Sequence, residues 1–99
     1  MVTYFGRAVE DPIIIARLTE LLEQRWDAAG TLRAALGRGS DFYREHAVVI
    51  AGMLSANARE TEVQRYLREI EQQTLPKTLH PAHARHEIAV AAWRIARSL

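Results

Sequence analysis

Apolar residues recur along most of this chain with the period of a helix, and they mark four amphipathic segments. The first runs over about 12–29. Asp11 is placed to cap it and Pro12 suits its first position, where no N–H donor is needed. Its stripe is Ile14, Ile15, Leu18, Leu21, Leu22 and Trp26, with Glu20, Glu23, Gln24 and Arg25 on the other side and Gly30 as its stop. The second segment, about 41–56, starts after the capping residues Ser40 and Asp41. Its stripe is Phe42, Val49, Ile50, Met53 and Leu54, with His46 at the edge, and Asn57 suits the left-handed position that ends many helices. The third, about 60–73, carries Val63, Tyr66, Leu67 and Ile70 inward. Glu62, Arg65, Arg68, Glu69 and Gln72 face outward, and Glu60 and Glu62 lie in the favourable first turn. The fourth, about 81–98, opens at Pro81. Its main stripe is Ala84, Ile88, Ala91, Ala92, Ile95 and Leu99, and a second runs through His83, His86, Val90, Trp93 and Arg97.

Between the first two segments, residues 31–36 predict one short turn of helix, followed by a loop around Gly37 and Gly39. A linker containing Pro76 precedes the fourth segment, and only residues 2–5 hint at a strand. The expectation is therefore an all-α fold, an antiparallel four-helix bundle-like single domain over 1–99.

The chain has 99 residues, 48% of them hydrophobic and 25% charged, which is a globular composition of single-domain size. Thirteen Lys and Arg against twelve Asp and Glu leave a net charge of +1. Residues 1–50 hold six basic and seven acidic groups (−1), and residues 51–99 hold seven and five (+2). No half carries the basic excess that a phosphate backbone demands, so nucleic acid is not the expected partner. No cysteine is present, which excludes disulfides, thiol nucleophiles and thiolate metal sites. No apolar run approaches the roughly 20 residues of a membrane span, and the first residues do not form a secretion signal. A cytoplasmic, bacterial-type protein is the expectation.

The chemistry-bearing residues do not assemble into a catalytic set. His80, His83, His86 and Glu87 cluster at the start of the fourth helix, but a spacing of three turns successive imidazoles about 60° apart. Helical zinc ligands are normally four apart with a distant third partner, so no metal or other cofactor is expected. No nucleophile elbow or glycine-rich phosphate loop occurs, and Glu69 and Glu71 are two apart and face different sides. The tight connection at 55–59 would suit a helix-turn-helix, but Glu60 and Glu62 would then meet DNA phosphates. No enzyme is expected. Trp26 belongs to the core stripe. Trp93, off the main stripe beside Arg94 and Arg97, has the composition of an interface hot spot, although core placement also accounts for it.

Four stretches carry a resemblance: Trp26-Asp27; Asp41-Phe42-Tyr43; Met53-Leu54-Ser55-Ala56-Asn57-Ala58; and Glu60-Thr61-Glu62-Val63-Gln64-Arg65-Tyr66-Leu67-Arg68-Glu69-Ile70-Glu71. Over roughly 18–75 the chain resembles a family of small bacterial proteins of unknown function, with the pattern W-D-P, D-E-Y, L-L-x-x-G-A and E-E-x-I-x-x-Y-L-x-x-I-E. It departs from that pattern at Ala28, where the family has Pro, at Asn57, where it has Gly, and at His46, where it has a second Tyr. The resemblance implies an all-helical protein without catalytic residues, some members being similar to toxin-immunity proteins. It marks Asp27, Asp41 and Tyr43 either as interface residues or as caps and packing.

The functional expectation is a protein-binding module, most concretely an immunity protein that covers the active site or substrate groove of a cognate bacterial toxin. Asp41, Tyr43, Glu60, Glu62 and Trp93 are the candidate partner-binding residues, the first four sharing one surface if the 55–59 turn is tight. A nuclease toxin would present a basic groove to these acids, although the net charge of +1 sits awkwardly with that target. The alternative is a structural or regulatory homo-oligomer, a homodimer joined through the Val90 and Trp93 face.

Overall fold

The computed structural model describes residues 12–28, 30–37, 39, 41–74 and 82–98, and every regular element among them is helical. Helix α1 (Pro12–Leu21) runs into a π-helical turn (Leu22–Trp26); then come α2 (Thr31–Ala35), α3 (Phe42–Ser55), α4 (Glu60–Thr74) and α5 (Ala82–Ser98). The chain forms one all-α domain in which α1 packs on α3 and on α5, α5 also meets α3, and α4 packs on α5. No described helix is long and apolar enough to cross a membrane.

The first helix ends earlier than its apolar period predicts. The Asp27 N–H donates to Leu22 O at 2.9 Å, five residues back, and Asp27 itself leaves helical geometry at φ −126° and ψ 50°. The wider π turn packs one extra residue into its last coil. Leu21, Leu22 and Trp26 thereby all reach the core. The chain turns here although Ala28, not Pro, follows Asp27. Gly30, at φ +70°, makes the reversal into α2, a conformation open to glycine at little cost. The proposed caps Asp11 and Ser40, and the opening Pro81, lie outside the described residues.

Asn57 adopts the left-handed conformation at φ +64° that its side chain tolerates. The Ala58 N–H donates to Met53 O at 2.9 Å and the Asn57 N–H to Leu54 O at 3.1 Å, which together close α3 as a Schellman motif. Two residues later the Arg59 N–H donates to Glu62 Oε2 at 2.8 Å, the reciprocal half of a capping box that opens α4. The connection is short, yet α3 and α4 diverge from it because each follows a different neighbour: α3 settles on α1, and α4 on α5.

The core is built from Ile14, Leu18, Leu22, Trp26, Leu32, Phe42, Ala47, Ile50, Leu54, Val63, Leu67, Ile88 and Ala92. Two of the expected inward residues on α3 are not in it. Val49 is 44% exposed and Met53 is half-buried, whereas Tyr43, Ala47 and Ala51 face inward. On α5 the inward face runs through Arg85, Ile88, Ala89 and Ala92; Ile88 and Ala92 come from the main sequence stripe, whereas His86 and Arg97 of the second stripe are exposed.

Candidate functional site

Two buried polar knots hold the helices, and between them lies a layer of rings. The first knot is Asp27, only 2% exposed. Its Oδ1 accepts the Leu32 N–H at 3.0 Å and its Oδ2 accepts the Arg33 N–H at 3.1 Å, so it caps α2 where Gly30 has no side chain to do so. The Tyr43 hydroxyl donates to the same Oδ2 at 2.8 Å and ties α3 to this turn. The Arg33 guanidinium lies 5.7 Å from the Tyr43 ring centre.

The second knot is Glu71, with no exposed surface, on α4. Its Oε2 accepts the Trp26 indole N–H at 2.9 Å and Arg85 Nε at 3.1 Å, and its Oε1 accepts Arg85 Nη2 at 2.9 Å. A bidentate, buried ion pair thus joins α4 to α5, and Trp26 adds the π turn to it. Among the described residues no buried side-chain nitrogen or oxygen lacks a hydrogen-bond partner.

The Trp26 and Phe42 rings are stacked at 6.3 Å, and His46 meets Phe42 edge-on at 4.8 Å. His46 Nδ1 is 2.6 Å from the Tyr66 hydroxyl, which links α3 to α4 across the inner end of the space between them. Burial pushes Tyr66 up to about 12. Burial, the hydrogen bond to Asp27 and the Asp27 charge push Tyr43 up to about 12. Unfolded tyrosines ionise near 10, so the fold favours the neutral hydroxyls. Their contribution to stability is complete below pH 10 and is lost as pH rises through 12. Alkaline unfolding is expected inside that window, read by circular dichroism beside tyrosinate absorbance. Tyr43→Phe should make the loss less steep. Titration of all three tyrosines near pH 10 in a chain that stays folded would contradict this.

A groove of about 780 Å³ opens between the diverging α3 and α4. Val48, Val49, Met53 and Ala56 form its α3 wall, and Glu62, Arg65, Tyr66 and Glu69 its α4 wall. The lining is mostly apolar, and along α4 it alternates acid, base and acid at helical spacing.

Of the predicted partner-binding residues, Glu62 alone lines this groove, and its carboxylate also caps Arg59. Asp41 is exposed before α3, and Glu60 is the half-buried first residue of α4. The fourteen residues of α3 separate them by about 20 Å, so the expected shared surface does not form. Tyr43 is corrected from interface to interior: it is 2% exposed because its hydroxyl serves Asp27. Trp93 is half-buried against the core, with the Arg97 guanidinium 5.3 Å from its ring centre. His86 is exposed, with Nδ1 2.8 Å from the Gln64 amide nitrogen; His80 and the side chain of His83 lie outside the described residues. Among the described residues no group of three His, Asp or Glu is arranged to hold a metal ion.

Val49, Met53, Arg65 and Glu69 were not singled out as functional by sequence. The signal was present on α3, where apolar residues at 42, 43, 47–51, 53 and 54 cover more of the circumference than one buried face requires. No protein-family model, curated protein or solved structure matches the chain.

Proposed function

We propose that the chain is a protein-binding module, and most concretely an immunity protein that binds a cognate bacterial toxin in the cytoplasm and occludes it. The observation that carries this reading is the apolar groove between α3 and α4, with Val49 presented on its wall. Its occupant is an apolar helix or strap of the toxin, flanked by basic residues that meet Glu62 and Glu69 and by an acid that meets Arg65. Anchoring that segment lays the two helix ridges over the toxin surface beside it, and so blocks access to its active site. Two carboxylates against one guanidinium along the rim suit a toxin with a basic surface, as a nuclease has, although the balance of the whole chain is +1.

The test is capture from host lysate by the tagged chain, mass spectrometry, and then growth rescue by co-expression with the captured protein. Val49→Glu places a charge on the apolar wall and is expected to abolish both capture and rescue. Because Val49 is 44% exposed, that variant should unfold within a few degrees of the parent. Equal capture and rescue by Val49→Glu would remove the groove from the reading. Recovery of the chain alone, with a dimer mass in solution, would replace it with the homo-oligomer.

A further inference from the structure

A second, smaller pocket of about 220 Å³ opens between α4 and α5, lined by Thr61, Gln64, Arg65, Arg68 and Arg85. Four of these residues follow one another on a single face of α4 at spacings of three, one and three, and Arg85 completes the wall from α5. Arg85 is 4% exposed and Glu71, on its buried side, fixes the plane of its guanidinium and balances its charge. Arg65 and Arg68 are exposed, and among the described residues neither takes part in an ion pair or side-chain hydrogen bond. Glu62 and Glu69, about one turn to either side of Arg65, line the groove, which Arg65 also borders; Arg68 does not line it. The pocket therefore presents two exposed guanidiniums and a hydroxyl, beside the Gln64 amide, whose nitrogen lies 2.8 Å from His86 Nδ1.

We infer that this pocket binds a phosphoryl group. Guanidinium forks placed one turn apart, with a hydroxyl a further turn along, offer donors to several oxygens of a tetrahedral anion. A planar carboxylate has only two oxygens and uses fewer of these donors. The volume takes a single phosphoryl group with its ester carbons, and the source is either the free ion or a small phosphate monoester. Arg65 borders the groove as well, but Arg68 lines this pocket and not the groove, so substitution of Arg68 tests the pocket apart from the groove reading.

The experiment is a nuclear magnetic resonance titration of the full chain with inorganic phosphate, and separately with phosphoserine, at constant ionic strength. Saturable shifts centred on Thr61, Gln64, Arg65, Arg68 and Arg85 are expected. Arg68→Gln should weaken binding about tenfold or more, the usual worth of one charge-assisted contact, while Arg94→Gln on the exposed face of α5 should leave it unchanged. Tighter binding of phosphoserine assigns the pocket to a monoester, and equal binding assigns it to the free ion. Equal shifts with acetate, shifts that do not saturate, or an unchanged affinity in Arg68→Gln would overturn the inference.

Discussion

Glu71→Ala is expected to destabilise the chain by about 3–5 kcal/mol, the usual cost of breaking a buried ion pair by removing one partner. The substitution removes the carboxylate that accepts the Trp26 indole N–H and the Arg85 Nε and Nη2 donors, in a place with no exposed surface. It takes the Glu71 carboxylate away from a buried cation, which costs more than the lost contacts alone. Domains of this size have about 5–15 kcal/mol in total, so thermal unfolding should fall by roughly 15–30 °C. The double variant Glu71→Leu with Arg85→Met should recover most of that loss, because an apolar pair of similar volume needs no desolvation of charge. Urea and thermal melts followed by circular dichroism decide the matter. A loss under about 1 kcal/mol in Glu71→Ala would mean that water reaches the pair.

The second large effect belongs to Asp27→Ala, with about 2–4 kcal/mol lost. A helix cap accounts for about 1 kcal/mol of this, and the Tyr43 hydroxyl, left with only the residue 27 carbonyl at 3.4 Å, for about 1–3 kcal/mol. Because the short hydrogen bond of the Tyr43 hydroxyl is to the Asp27 carboxylate, Asp27→Ala and Tyr43→Phe should not add. The double variant is expected to lose less than the sum by about 1 kcal/mol, which a double-mutant cycle from chemical denaturation measures. Strict additivity would show that Asp27 stabilises α2 alone. Asp27→Asn keeps one acceptor oxygen and should fall between the parent and Asp27→Ala.

Both predictions rest on charged residues that local rules treat as surface. Glu71 stands four residues after Leu67 and eight after Val63, both buried, so its place on the inward face is written in the spacing. Its partner is not. Arg85 lies fourteen positions further, across a linker outside the described residues, and no periodicity specifies which side chain will meet the carboxylate. Asp27 is similar. The chain shows an acid after Trp26, but only the π turn brings its carboxylate onto the N–H groups of α2 and the hydroxyl of Tyr43. The π turn also explains why the first helix stops at Trp26 and not near 29, since one wider coil is invisible to a period of 3.6.

Four amphipathic segments, the short helix at Thr31–Ala35, the left-handed Asn57 and the acidic start of α4 were determined by the sequence itself. These features depend on residues within one or two turns of each other, whose geometry the backbone imposes without outside help. The choice of neighbours was decided only by the tertiary structure. Val49 follows the same apolar period as Ile50, yet one meets solvent in a groove and the other meets the core. The difference arises because α3 packs on α1 while α4 packs on α5. Side-chain burial is a property of the surfaces that meet, and a linear pattern states which face is apolar without stating what will cover it.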